Sequence, residues 1–311
     1  MKITVIGPGA IGCLLAAYLA RAEEEVCLLD YRPDRASLLQ QKGIKVETVE
    51  GEFHTPIMVT ANPAETRSAK VFILCVKAGD TEAAASRLKA ISSAESFFLT
   101  LQNGLGNVDK LAEIFGDERV LAGVTSHGST ILGVGHVRHA GHGKIWLGPM
   151  AEAAPGGAVI KNRSELAAAL NRADLQTLEV EDIQTVLWRK LLANVGINAL
   201  TAILQVPNGE LLNLPESRKL MARAVAEAVE ISQFDGVHFH TADEIEKVKD
   251  VCRSTAANIS SMLQDVRRQK KTEINYINGA VVNLAARHGV AAPVNEVLTA
   301  LVKSLEAGYS S

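Results

Sequence analysis

The sequence predicts an α/β protein: a doubly wound, mostly parallel sheet in the N-terminal half, followed by a mostly helical C-terminal domain. Three observations carry this. The first half alternates short apolar runs with segments of helical spacing. Val71–Val76 and Phe97–Leu101 are continuous apolar runs, as strands buried on both faces require. From about Asp182 onward nearly every segment has helical spacing, and Pro207, Pro215 and Pro293 fall at the breaks. The boundary lies near residues 180–184, giving domains 1–181 and 182–311.

The first element is the most informative. Lys2–Ile6 reads as a strand, and Gly7-Pro8-Gly9-Ala10-Ile11-Gly12 follows directly. A helical pattern then runs through Leu14, Leu15, Tyr18 and Leu19, and a second strand, Val26–Leu29, ends on Asp30. Strand, glycine turn, helix, strand and acid, in that order, make the dinucleotide-binding unit of a Rossmann-type doubly wound sheet. Gly7 allows the tight turn, Gly9 lets the backbone approach a pyrophosphate, and Gly12 lets helix and strand pack closely. The pyrophosphate then meets free N–H groups at a helix N-terminus. A glycine turn without a ligand is the alternative; the flanking strands and terminal acid speak against it.

The remaining elements follow in order. Arg35–Gln41 reads as a helix, and Ile44–Val49 with Glu52–Val59 as a hairpin around Glu50-Gly51. Thr81–Ile91 and Asn107–Phe115 are helical, and Val120–Thr125 is a strand. Ser126–Gly148, rich in Gly and His, reads as short antiparallel pieces. Ala154–Gly157 is a surface loop, Leu166–Leu170 is helical, and Leu175–Val180 is the last strand. In the second domain the helices are Thr185–Ile203, Arg218–Phe234, Ala242–Val251, Asn258–Arg268, Ile274–Arg287 and Asn295–Glu306.

Bulk properties exclude several classes. A net charge of −3 over 311 residues leaves no basic footprint for nucleic acid, and 4% aromatics offer little for base stacking. No apolar run is long enough to span a bilayer, and no signal-peptide segment opens the chain. Cys13, Cys27, Cys75 and Cys252 are scattered without a CxxC pair, so they read as reduced core residues of a cytoplasmic protein.

Three places hold chemistry. Lys190, Asn194 and Asn198 recur every four residues and form one polar stripe on a helix that is otherwise apolar nearly all round. A buried stripe of one amine and two amides needs partners, which a substrate supplies; a solvated face or an internal hydrogen-bond network fits the spacing equally well. Thr272 is placed to cap a helix whose first turn contains Glu273, and stabilising that helix end is the plain reading of the glutamate. Asn103 follows the strand Phe97–Leu101 and Lys77 ends Val71–Val76, both at the carboxyl edge where open α/β sheets bind ligands, so both are expected at the cofactor, Asn103 where cofactor meets substrate; Asn-Gly is also an ordinary turn dipeptide.

With these residues in view, the chain resembles the 2-dehydropantoate 2-reductase (ketopantoate reductase) family. The matching stretches include Gly7–Gly12, Val76–Ala78, Gln102–Gly106, Leu187–Leu192, Asn194–Thr201, Pro207–Glu210, Asn258–Asp265 and Thr272–Gly279, in the family's order across both domains. The resemblance implies that Lys190 is the general acid and that Glu273 binds substrate. It implies substrate-binding roles also for Asn103, Asn194, Asn198, Asn208 and Ser261. The implied reaction moves a hydride from a reduced nicotinamide to the ketone of 2-dehydropantoate, giving (R)-pantoate for pantothenate and coenzyme A synthesis. The alkoxide so formed needs a proton from a positioned acid.

One departure concerns the cofactor. The family uses NADPH and holds its 2′-phosphate with an arginine after the second strand. Here Asp30 suits a ribose 2′-hydroxyl and so NADH, whereas Arg32 and Arg35 suit a 2′-phosphate. Family resemblance places NADPH narrowly ahead. His136, His139 and His142 suggest metal by spacing, but on an extended strand His139 points away from the other two, and no metal is expected. Arg267–Lys271 reads as a solvated, basic helix end. The expected partner is a small 2-oxo acid, with no nucleic acid and no membrane; the oligomeric state, a homodimer included, stays open. The rival readings are a paralogous reductase of another branched 2-oxo acid and a non-catalytic dinucleotide sensor, which would not need Lys190 and Glu273 together.

Overall fold

In the computed structural model, which describes residues 1–150 and 158–309, strand β1 (Ile3–Ile6) is buried along its whole length. It lies at the centre of the first compact unit, Met1–Gln102 with Asn107–Ile183. From β1 the chain continues through α1 (Ala10–Arg21), β2 (Val26–Leu29), α2 (Pro33–Lys42), β3 (Ile44–Thr48), β4 (Gly51–Thr55), β5 (Met58–Thr60) and β6 (Val71–Leu74). It then forms α3 (Thr81–Lys89), β7 (Phe97–Thr100), α4 (Asn107–Phe115), β8 (Val120–Thr125), β9 (Gly128–Gly133), β10 (His136–Gly141), β11 (Ile145–Gly148), α5 (Ala158–Arg172) and β12 (Thr177–Glu179). The loop expected at Ala154–Gly157 lies outside the described residues.

The main sheet has the order β12-β11-β8-β7-β6-β1-β2-β5. Strands β5, β2, β1, β6, β7 and β8 are mutually parallel. Counted along the chain they stand 3-2-1-4-5-6, the doubly wound order whose switch point lies between β1 and β6. The chain therefore leaves β1 into the Gly7–Gly12 turn and β6 into Cys75–Lys77 on either side of that point.

A second sheet, β4-β3-β10-β9, packs on the outer side of α1, with Tyr18 edge-on to Phe53 at 5.3 Å. The expected hairpin is thus real only over β3 and β4. Pro56 has no N–H to offer a ladder, so the strand ends at Thr55, and Met58–Thr60 joins the main sheet parallel to β2. His139 also corrects an expectation. His136 does point elsewhere, toward Glu47 at 2.9 Å, but a register shift between His139 and Gly141 brings the His139 and His142 rings to 4.4 Å. His139 is buried between Tyr18 Oη and His127 Nδ1, each at 3.0 Å. The Gly143 N–H donates to that same His127 Nδ1, so His139 Nε2 is the donor toward it. Burial first, then neighbouring histidine charge, brings both His127 and His139 down to about 4. Among the described residues no His, Cys, Asp or Glu cluster is arranged to hold a metal ion.

The second unit comprises Asn103–Gly106 and Gln184–Ser311. Its helices are α6 (Ile183–Leu204), α7 (Glu210–Asn213), α8 (Pro215–Ser232), α9 (Thr241–Ser254), α10 (Ser261–Arg267), α11 (Asn278–Arg287) and α12 (Pro293–Ala307). Helix α6 is its axis: Trp188, Leu192, Val195, Ala199 and Ala202 are wholly buried. A Cβ at Gly196 would lie 2.9 Å from both Val225 and Val248, so the glycine permits the close approach of α8 and α9. Two expected helices are shorter than the pattern suggested. Ser260 caps α10 by accepting from the Leu263 N–H at 3.1 Å, so the helix starts at Ser261 rather than Asn258. Ile274–Arg287 is broken at Ile277 (φ −107°, ψ −96°) into a 3₁₀ turn, Ile274–Tyr276, and α11. No helix among the described residues is long and apolar enough to cross a membrane.

Candidate active site

The first unit offers a site built from backbone. Gly7 has φ +96°, and a Cβ there would lie 2.8 Å from Val76 Cγ1; a Cβ at Gly12 would lie 2.0 Å from the Gly7 carbonyl oxygen. Both glycines are demanded by the protein's own packing. Gly9 is not: its backbone is extended (φ −73°, ψ −174°), and an added Cβ would meet only Cys75 O, at an ordinary 3.6 Å. Gly9 is also the N-cap of α1 and offers no side-chain cap to the N–H groups of the first helical turn. Pro8 is buried within the turn, and Lys77, exposed, caps the short turn after β6.

At the end of β2 the structure departs from the expectation. Asp30 does not face outward toward a ribose. Its carboxylate is 2% exposed and is gripped bidentately by Arg35, with Nε at 2.5 Å and Nη2 at 2.7 Å, while the Arg32 N–H adds a third bond at 3.1 Å. The Arg32 side chain is exposed and paired with Asp34 at 2.6 Å. Arg35 is the residue that sequence reasoning underused. The signal was an acid at a strand end with an arginine five positions on, in the first turn of α2.

The second unit offers a site built from side chains. Lys190, Asn194 and Asn198 share one face of α6, with Asn198 5% exposed and the other two half-buried. Burial lowers the Lys190 ammonium from 10.5 to about 8, and the Glu273 charge opposes the shift. Glu273, 7% exposed, accepts a hydrogen bond from Asn103 Nδ2 at 3.1 Å. The loop that carries Asn103 is seated on the same segment: the Leu105 N–H donates to Tyr276 O at 3.0 Å, and a Cβ at Gly104 would lie 2.1 Å from that oxygen. The N-cap position falls on Glu273 rather than Thr272, but the Glu273 side chain makes no cap hydrogen bond; the Thr272 hydroxyl accepts from the Ile274 N–H at 3.2 Å.

The structure thus brings Lys190, Glu273 and Asn103 into one electrostatic group. Asn208 is held otherwise: its Nδ2 donates to Thr255 at 2.9 Å, and its buried Oδ1 finds no partner among the described residues. Ser261 is exposed at the start of α10, whereas its neighbour Ser260 is buried and bonded to Thr201 of α6 at 2.7 Å.

A family model described as "Ketopantoate reductase PanE/ApbA" matches residues 3–152, and its companion, "Ketopantoate reductase PanE/ApbA C terminal", matches residues 182–306. The chain belongs to the ketopantoate reductase family. A 2-dehydropantoate 2-reductase of Halobacterium salinarum is 36% identical over 304 residues, covering 97% of this chain and 98% of the relative. A PanE/ApbA family ketopantoate reductase from Ralstonia eutropha JMP134 superposes with a TM-score of 0.89 at 30% identity, covering 99% of each chain. D-mandelate dehydrogenase, solved with NADH and anilino(oxo)acetate, has a TM-score of 0.91 at 25% identity, again over 99% of each chain. The Rossmann-type fold is thus shared with ketopantoate reductases over the whole chain.

Proposed function

We propose that this chain reduces 2-dehydropantoate to (R)-pantoate with a nicotinamide dinucleotide, the first unit holding the dinucleotide and the second the oxo acid. The observation that carries the reading is Lys190: an ammonium whose acidity burial has tuned to about 8, kept charged by Glu273 on a rigid helix. An acid with a pKa near working pH is both largely protonated and ready to release its proton.

The residues present fit the dinucleotide. Gly9 leaves open space at an uncapped helix N-terminus, where a pyrophosphate is favoured. When bound, the nicotinamide supplies the hydride. The protein's own groups do the rest. Lys190 stabilises the negative charge that grows on the substrate oxygen and then donates its proton there. Glu273 accepts a hydrogen bond from the substrate's hydroxyl, with Asn103 holding the carboxylate in place. Asn194 and Asn198 orient polar substrate groups without adding charge. Asn208 and Ser261 are assigned to the substrate side on the resemblance alone, and Lys77 to the cofactor side by its position after β6.

NADPH is the proposed form. Asp30, clasped by Arg35 and almost wholly buried, has little exposure to offer a ribose diol, and Arg35 balances its charge. The outward part of Arg35, and Arg32 once released from its exposed pair with Asp34, are the cations at hand for a 2′-phosphate. A second reading, NADH with a different 2-oxo acid, draws on the likeness to D-mandelate dehydrogenase, solved with NADH.

The test is a cofactor-oxidation assay with a panel of 2-oxo acids, run with NADPH and with NADH. Fastest turnover on 2-dehydropantoate with NADPH is expected, and Arg35→Ala should lower the NADPH/NADH ratio severalfold. Faster turnover of another 2-oxo acid would select the paralogue reading, and cofactor binding without any oxidation would select a sensor.

A further inference from the structure

A buried polar knot in the first unit has no part in the chemistry above. Thr81, the first residue of α3, is wholly buried. Its hydroxyl accepts from Gln102 Nε2 at 2.8 Å and lies 3.0 Å from both the Ala78 carbonyl and Asn107 Oδ1, its single proton serving one of these at a time. Gln102 Nε2 also donates to Val76 O at 3.0 Å, and Gln102 Oε1 accepts from Thr100 at 3.0 Å. Gln102 is 7% exposed and Asn107 is 2% exposed. Burying three polar side chains is costly unless each is bonded, and an apolar trio of similar size would fill the space without that cost.

The two outer members of the knot are the residues that bracket Asn103–Gly106. Those four residues belong to the second unit, where Asn103 donates to Glu273 and Leu105 to Tyr276. Gly104 and Gly106 both have positive φ, +85° and +83°. A four-residue loop with two such glycines has wide freedom unless its ends are fixed. Here one hydroxyl is shared by both ends.

We propose that Thr81 is a positioning residue: its hydroxyl fixes Gln102 and Asn107, the two residues from which the Asn103–Gly106 loop springs, and so sets Asn103 against Glu273. The proposal rests on the reading that Asn103 and Glu273 hold the substrate.

Thr81→Val keeps the shape and deletes the hydroxyl, whereas Thr81→Ser keeps the hydroxyl. In Thr81→Val, kcat/KM for 2-dehydropantoate should fall roughly tenfold or more, as expected for a displaced contact, with the KM of the oxo acid raised. Thr81→Ser should restore both. Amide hydrogen exchange over residues 103–106 should quicken in Thr81→Val and stay at the wild-type rate in Thr81→Ser. If Thr81→Val does not fold, Asn107→Ala removes the tie on the loop's C-terminal side and should quicken the same amides. Exchange at 103–106 unchanged from wild type in the folded variant, or equal kinetics for the Val and Ser variants, would overturn the proposal. A wild-type protein inactive on 2-dehydropantoate would defeat the functional reading alone, and the exchange rates would still decide the role of Thr81.

Discussion

The Gly7–Gly12 turn and the polar face of α6 both point to small ligands, but they are made of opposite materials. On the proposed reading the turn works by having no side chains, so that backbone N–H groups do the recognising. On the same reading helix α6 works by having the right side chains on a stiff frame, at the cost of holding a half-buried ammonium that burial makes more acidic. The difference teaches where function and stability part company. At Gly12 they coincide, because the packing itself forbids a Cβ. At Gly9 an added Cβ would meet no tight contact, so on the proposed reading only a bound pyrophosphate opposes it. At Lys190 they oppose each other.

Four substitutions sharpen that contrast. Lys190→Met should lower kcat by ~10²-fold or more, the scale of a lost general acid. The same variant should be more stable than wild type at pH 7, by about 1–3 kcal/mol, because the folded state no longer carries a poorly solvated charge. The linkage sign agrees: a lysine whose folded-state pKa lies below its unfolded one makes the wild type gain stability as pH rises from about 8 to 10.5. Paired kinetic and calorimetric measurements check both halves, and a Lys190→Met protein that is inactive and also less stable would make the lysine a structural support.

Glu273→Ala comes next. It removes a hydrogen bond between the substrate and a charged group, typically ~1.5–3 kcal/mol, and should cut kcat/KM for the oxo acid accordingly. The Glu273 side chain makes no cap hydrogen bond and the Ile274 N–H is met by Thr272, so the melting temperature should hardly move. A change in melting temperature alone would return Glu273 to the helix-end role.

The smallest effect expected on catalysis is at the turn. Gly9→Ala should raise the cofactor KM by roughly tenfold, since the pyrophosphate must approach closely there, with stability near wild type. Gly12→Ala should instead cost about 1–3 kcal/mol of stability or more, because the Gly7 carbonyl must move. Equal thermal stability for the two variants would erase the distinction drawn between these glycines.

What could be read from the chain follows the same division. Periodicity and glycine spacing are local signals, so the strands on either side of the switch point, the turn between them and the buried α6 were all legible. The second sheet was not, because β3 pairs with β10 some ninety residues on, and no local pattern encodes that partner. Pro56, read through as if part of one strand, was a missed stop. His139 went astray on a register shift, which changes a side chain's face without changing composition. Asp30 and Arg35 show a further limit. Each was visible as a charge near the ribose position, but only the structure shows that they spend those charges on each other. The stripe of Lys190, Asn194 and Asn198 was legible as geometry, whereas its chemistry needed Glu273, brought from eighty-three positions away.

The central claim is that Lys190 is the acid and that burial sets its strength. The pH dependence of kcat/KM for 2-dehydropantoate tests it most directly. The rate should be level through neutral pH and fall tenfold per unit above about pH 8, as the lysine of the free enzyme loses its proton. Lys190→Arg, whose guanidinium stays charged throughout this range, should lose that fall along with most of the activity. A wild-type profile that stays level to pH 10, or one whose fall survives unchanged in Lys190→Arg, would contradict the account.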